Sequence, residues 1–268
     1  MIVIPARLKS TRFKDKILAD IGGVPMFIKT AQNAKKVDDV LIAVDNEDIL
    51  NISLKYGFKT VLTSTSHNSG TDRINEAVLK MGLKDDEIII NLQGDEPFFE
   101  TENLAKFKEF ANIAITKKGY FMASAYKKIS QIDADNPNLV KVVCDNLNNA
   151  IYFSRAKIPY PRESFNGYRG HIGIYAYSVK NLNEFCDFDE SILENTEKLE
   201  QLRALAQGKK IDEILEELGE VAEGILTSKA ILKLANLHNI YTPIAREVAL
   251  TIDGKNPKKS LIDLLRHK

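Results

Sequence analysis

Cysteine is scarce in this sequence, net charge is absent, and no apolar run approaches the length of a membrane span. Only Cys144 and Cys186 occur among 268 residues. They have neither metal-type spacing nor a disulfide framework around them, which predicts two small buried apolar side chains in a reducing compartment. Lys and Arg total 37, as do Asp and Glu, so no global field draws the chain to nucleic acid or to an anionic membrane. The apolar runs are of strand-core size, such as residues 88–90, far below the roughly 20 residues a membrane span requires. Met1-Ile2-Val3-Ile4-Pro5 enters a strand pattern at once, without the charged and apolar regions of a signal peptide, and a cytoplasmic location is expected. Internal repeats, low-complexity segments and Pro- or Ser-rich linkers are missing. So are a Walker A loop, a G-x-G-x-x-G turn after the first strand, and any Ser-His-Asp or Cys-His constellation.

What is present suits a folded enzyme. With 44% apolar and 28% charged residues, the chain can build one large or two modest domains with a substantial core. Short β-branched runs at 40–44, 60–62 and 88–92 alternate with helical periodicity at 24–36, 48–56 and 71–81. That alternation predicts an α/β fold with a parallel sheet covered on both faces, whose ligand crevice lies beyond the carboxyl ends of the strands. Strand patterns at 120–126, 140–143, 150–153 and 172–177, around a Pro- and Gly-containing loop at 158–170, predict a smaller mixed-sheet lobe. After Ser191 the pattern is helical: 211–218, 227–237, 243–250 and 257–265 predict an all-helical tail without strands.

Three loops could carry chemistry. After the first strand, Arg7, Lys9, Arg12, Lys14 and Lys16 follow one another closely with small hydroxyl residues between them, the donor set a triphosphate requires. As cations alone they fit a solvated surface loop equally well. After the buried strand at 88–92 comes Gln93-Gly94-Asp95-Glu96-Pro97, where a carboxylate at a strand end suits Mg2+ on phosphate oxygens and Gly94 permits close backbone approach. An ordinary polar turn is the plainer alternative. The third is His67-Asn68-Ser69-Gly70-Thr71-Asp72-Arg73, with Ser69 or Thr71 capping a helix whose amino terminus attracts anions and polar base edges.

In this order along the chain, IPARLKSTR (4–12), HNSGTDR (67–73), NLQGDEPF (91–98), NPNLVKVV (136–143), AIYFSRAKIPY (150–160), HIGIYAY (171–177) and LENTEKLEQLRAL (193–205) resemble the CMP-Kdo synthetases, the 3-deoxy-manno-octulosonate cytidylyltransferases. The resemblance implies a Rossmann-like nucleotide-diphospho-sugar transferase sheet over residues 1–205, with the helical tail at 206–268. It implies transfer of a cytidylyl group from CTP to the sugar acid Kdo with release of pyrophosphate, for lipopolysaccharide biosynthesis. Mg2+ is the implied cofactor and a homodimer the implied assembly. The related acylneuraminate enzymes share the opening loop, but HIGIYAY with LEQLR looks like the Kdo branch. Carried over residue by residue, Arg7, Arg12 and Lys16 would hold the phosphates, and Arg12 and Lys16 would offset charge on the leaving pyrophosphate. Ser69 and Arg73 would place the nucleotide, Asp95 would bind the metal, and Gln93 would contact the sugar. His171, Tyr175, Glu200 and Gln201 would line the sugar pocket, with Arg155 near the sugar carboxylate.

Two departures stand out. Lys14-Asp15 occupies the place of the family's usual Pro-Gly. The family's ending, a strand and helix with Gly-Ile/Val-Asp-Thr-x-x-Asp-Leu carrying a second metal aspartate, is replaced from about residue 203 by a segment similar to the carboxyl terminus of NAD-dependent glycerol-3-phosphate dehydrogenase. Only Asp253, in Thr251-Ile252-Asp253-Gly254, faintly echoes the lost signature. Helices can cover an apolar sheet face but supply no ladder hydrogen bonds, so an unpaired sheet edge is expected. Three readings result: a working synthetase, a nucleotide-binding chimera that no longer turns over, and an oxidoreductase suggested only by the tail.

Overall fold

The computed structural model describes residues 1–8, 16–67 and 69–215, and beyond these 232, 235, 240–252, 255, 256 and 259. The chain divides into two compact units, Met1–Glu217 and Leu218–Lys268.

The first unit is built on a nine-stranded mixed sheet. Its parallel half orders β3 (Lys59–Leu62), β2 (Val40–Val44), β1 (Ile2–Ala6) and β4 (Ile88–Asn91) side by side. β2 reads Val-Leu-Ile-Ala-Val without polar alternation because both of its faces are buried, as in sheets covered on both sides. Along β1, Ile2, Ile4 and Ala6 pack with Phe27 and Ile28 of α1 (Met26–Ala34) and Phe107 of α4 (Thr101–Thr116). Val3 points to the opposite face, against Ile74 and Val78 of α3 (Gly70–Lys80) and Phe185 of α5 (Val179–Asp187). The period-2 pattern of one strand thus feeds two cores. α2 (Glu47–Lys55) begins at Asn46, whose side chain accepts from the backbone N–H groups of Asp48 and Ile49.

β5 (Met122–Lys128) and β8 (Arg169–Ser178) continue the same sheet, with β8 antiparallel between β4 and β5. The hairpin β6 (Lys141–Cys144) with β7 (Ala150–Ser154) attaches to β8 through Lys141 and Gly170. Cys144 and Cys186 are free and only partly buried; burial pushes the Cys144 thiol up to about 11, so it is a poor nucleophile.

The expectation of an all-helical segment over 211–218 is corrected. Ile211–Leu215 is a strand, β9, paired in parallel with Met122–Tyr126 of β5. Ile211, Ile214 and Leu215 fit a helical stripe as well as a strand, and periodicity alone cannot decide over so short a run. The unpaired edge of β5 decides it, because β9 satisfies that edge's backbone groups. The edge of β5 is therefore not left unpaired as anticipated from the sequence, and residues 206–215 belong to the first unit.

In the second unit, Pro243–Ile252 forms helix α6, close to the expected 243–250. The helices expected over 227–237 and 257–265 fall largely outside the described residues, as does Asp253. No helix among the described residues is long and apolar enough to cross a membrane.

Candidate active site

The loops after β1, β3 and β4 meet at the carboxyl ends of the parallel strands, where open α/β sheets hold ligands. Pro5, Arg7, Ser69, Gly70, Thr71, Arg73, Gln93 and Glu200 line one cleft there. Close approach of backbone makes it: a Cβ on Gly94 would lie 3.0 Å from the Pro5 carbonyl oxygen, and one on Gly70 would lie 3.2 Å from the Pro5 ring. Thr30 Oγ1 donates to the Gly94 carbonyl at 3.0 Å and Asn33 Nδ2 to that of Pro97 at 2.6 Å, so α1 clamps the loop carrying Gln93 and Asp95. Gln93 Nε2 is held by Asn91 Oδ1 at 3.1 Å.

Ser69 is the cap of α3, accepting from the Asp72 N–H at 3.0 Å and donating to the Asp72 carboxylate at 2.9 Å. Arg73 is buried. It donates to Thr63 Oγ1 at 2.6 Å, to the Ser64 carbonyl at 3.2 Å and to Asp45 Oδ2 at 3.2 Å. Burial pulls the Arg73 guanidinium below its ordinary value while Asp45 pushes it back up. Glu76 pins the same loop. Burial raises its carboxyl, but hydrogen bonds from Lys80, the Ser64 N–H and His67 outweigh burial and bring it down to about 2.

Lys16 and Asp95 form an ion pair at 2.6 Å, both half exposed. Among the described residues no group of three or more His, Cys, Asp or Glu is arranged to cage a metal. Asp95 alone fits the way Mg2+ is commonly held, by one or two carboxylates with substrate phosphates and water completing the shell.

Within the cleft, Thr71 Oγ1 donates to Glu200 Oε2 at 3.1 Å, and burial raises the Glu200 carboxyl. Gln201 is buried beside it in sequence. His171 Nε2 and the Tyr175 hydroxyl are 2.8 Å apart, on β8. Burial drives the His171 imidazole down to about 3, so the ring is neutral. Arg155 is not among the residues lining the cleft; it donates to the backbone carbonyls of Glu197, Pro137 and Lys198. Arg12 lies outside the described residues.

The structure thus gathers Arg7, Ser69, Arg73, Gln93 and Glu200 in one place, and adds two groups that the sequence reading passed over. Asp45 follows the buried strand β2 just as Asp95 follows β4, which was the available signal. Thr71, which the sequence offers only as a helix cap, lines the cleft and donates to Glu200.

The family model described as cytidylyltransferase matches residues 1–211, and that of the NAD-dependent glycerol-3-phosphate dehydrogenase C-terminus matches residues 198–263. The chain is 52% identical over 212 residues to a 3-deoxy-manno-octulosonate cytidylyltransferase from a Nitratiruptor species, covering 79% of this chain and 89% of the relative. It is 49% identical over 216 residues to the enzyme of that name from Wolinella succinogenes, covering 79% and 88%. A solved structure of CMP:2-keto-3-deoxy-manno-octonic acid synthetase complexed with CTP is similar with a TM-score of 0.77 at 34% identity, over 88% of this chain and 98% of that one.

Proposed function

The chain belongs to the cytidylyltransferase family, and on that premise we propose that it transfers a cytidylyl group from CTP to 3-deoxy-D-manno-octulosonate, giving CMP-Kdo and pyrophosphate for lipopolysaccharide biosynthesis. The observation that carries this reading is the convergence of Arg7, Ser69, Arg73, Gln93 and Glu200 on one cleft. In the reaction the sugar's anomeric oxygen bonds to the α-phosphorus as the bond to the pyrophosphate oxygen breaks. Such a displacement needs alignment and charge compensation rather than a protein nucleophile.

Arg7, Arg12 and Lys16 bind the phosphates, and Asp95 is the protein ligand for Mg2+, which when bound neutralises charge on the phosphate oxygens. The ion pair of Lys16 and Asp95 supports this reading, since a cation suited to phosphate and an anion suited to a metal lie side by side. Ser69 and Arg73 orient the nucleotide. Gln93, His171, Tyr175, Glu200 and Gln201 hold the sugar acid. Arg155 reaches the sugar carboxylate by exchanging one of its carbonyl partners for it. The enzyme works in the cytoplasm as a homodimer.

The test is pyrophosphate release by the full chain with Mg2+ and CTP, comparing Kdo with N-acetylneuraminate as acceptor. Release with Kdo alone supports the reading. Release with N-acetylneuraminate instead assigns another sugar acid. Calorimetric CTP binding without release marks a chimera that binds and no longer turns over. Oxidation of NADH with dihydroxyacetone phosphate would point to the tail, which lacks the pyrophosphate-binding turn a dehydrogenase requires.

A further inference from the structure

β8 carries two glycines, and only one of them has a packing reason to be there. A Cβ on Gly170 would lie 2.7 Å from Ile129 Cγ2 and 3.4 Å from Leu139 Cδ1, so its neighbours exclude a side chain. A Cβ on Gly173 would meet nothing within 4 Å among the described residues, and Gly173 does not have the positive φ that favours glycine. It is also the one exposed residue of the strand. Glycine inside a strand weakens it, and marks a bulge or a place where another molecule approaches the backbone. The register of β8 against β5 shifts here: Ser124 pairs with Tyr175 but Ala125 pairs with Ile172, which leaves Gly173 and Ile174 unmatched. The Ser124 hydroxyl holds the shift by donating to the Ile174 carbonyl at 2.9 Å. Bulges recur beside active sites, where they re-aim side chains. Residues four apart in a regular strand stand about 13 Å apart, yet His171 Nε2 and the Tyr175 hydroxyl meet at 2.8 Å, with Gly173 midway between them in sequence.

On its other edge β8 runs past the end of β4. Asn91 is the last residue of β4 to pair with it, opposite Tyr175, and the chain then leaves toward Gln93, which lines the cleft. Farther along the same strand, Gly170 pairs with Lys141 of β6, and the His171 N–H donates to the Val140 carbonyl at 2.8 Å. Residues 172–174 belong to neither ladder. Gly173 is the centre of that gap, beyond the carboxyl end of β4 where an open α/β sheet holds its ligand. We propose that Gly173 is a specificity-determining residue: the sugar acid lies against its backbone, and the missing side chain is what admits the acceptor beside His171 and Tyr175. This rests on the reading of those two residues as part of the sugar pocket. The strand forgoes a stabilising side chain at this position because the ligand occupies its place.

The experiment compares the full chain with Gly173→Ala and Gly173→Val by thermal melting, steady-state pyrophosphate release and calorimetric binding of Kdo. Both side chains enter open space on a backbone that does not need glycine, so both variants should melt at or above the temperature of the natural chain. kcat/KM for Kdo should fall about tenfold or more with alanine, the order that one methyl-sized group commands in a fitted pocket, and further with valine. The KM for CTP should stay unchanged. Variants that keep the natural kcat/KM for Kdo overturn the proposal, and so does an equal loss toward CTP and Kdo. A lower melting temperature in Gly173→Ala overturns it too, because the fold would then be what requires the glycine. The two readings fail separately. Release that is indifferent to both substitutions defeats the inference and leaves the functional reading. Kdo binding that weakens in Gly173→Ala, in a chain that releases no pyrophosphate, defeats the functional reading and leaves the inference. A natural chain that does not bind Kdo defeats both.

Discussion

Asp45 holds two loops of the cleft with one carboxylate: Oδ2 accepts from the buried Arg73 at 3.2 Å, and Oδ1 accepts from the backbone N–H of Leu8 at 3.2 Å. Leu8 belongs to the loop after β1, and Arg73 to the first turns of α3, so the end of β2 sets the distance between that loop and that helix.

Removing that carboxylate leaves a guanidinium in the interior without its counter-charge. Asp45→Ala is expected to cost about 2–4 kcal/mol, because a buried charge that loses its partner keeps its desolvation penalty. At about 2–4 °C per kcal/mol for a unit of this size, the melting temperature should fall by about 4 °C or more. A thermal melt within about 1 °C of the natural chain would show that Thr63 and Ser64 alone compensate Arg73.

Glu76 gives the chain an acid-sensitive loop. Its carboxyl is about 2 in the folded protein against an ordinary 4.5. A group depressed on folding contributes stability that is fully present above the unfolded value and lost as pH falls through the folded one. Melting curves of the natural chain and Glu76→Gln should therefore differ at pH 7 and converge between about pH 4.5 and about 2. A constant difference across that window would mean that Glu76 is not held ionised by Lys80, Ser64 and His67.

How much of this was legible beforehand differs by element. The parallel half of the sheet was readable because a run such as Val40 to Val44 has no polar interruption and is bounded by turn and capping residues. The places of Ser69 and Gln93 at the cleft were readable because each sits where a helix start or a strand end gives its side chain a direction. β9 was not, since Ile211, Ile214 and Leu215 carry a spacing that helix and strand share, and the deciding partner, β5, lies far away in the chain. The place of Asp45 after the buried strand β2 was a signal, but its role was not legible, because nothing in Val44-Asp45-Asn46 tells of Leu8 or Arg73.

The strand can be tested through Ile211, which is fully buried at the head of β9. Ile211→Ala is expected to cost about 2–4 kcal/mol through lost burial and the cavity left behind. In urea the midpoint should drop without a change in slope. A loss under about 0.5 kcal/mol, the usual cost at an exposed site, would show that 211–215 does not pack into the sheet.

The measurement closest to the central claim is pyrophosphate release by the full chain and by Asp95→Asn, with CTP, Kdo and limiting Mg2+. Asp95 and Lys16 are both half exposed, so breaking their pair costs the fold little. The expected result is release that requires both substrates in the natural chain and falls about 100-fold or more in Asp95→Asn at an unchanged melting temperature, since the variant keeps the size of the ligand and loses its charge. A natural chain that binds CTP and releases no pyrophosphate, or an Asp95→Asn variant that matches it, would contradict the account.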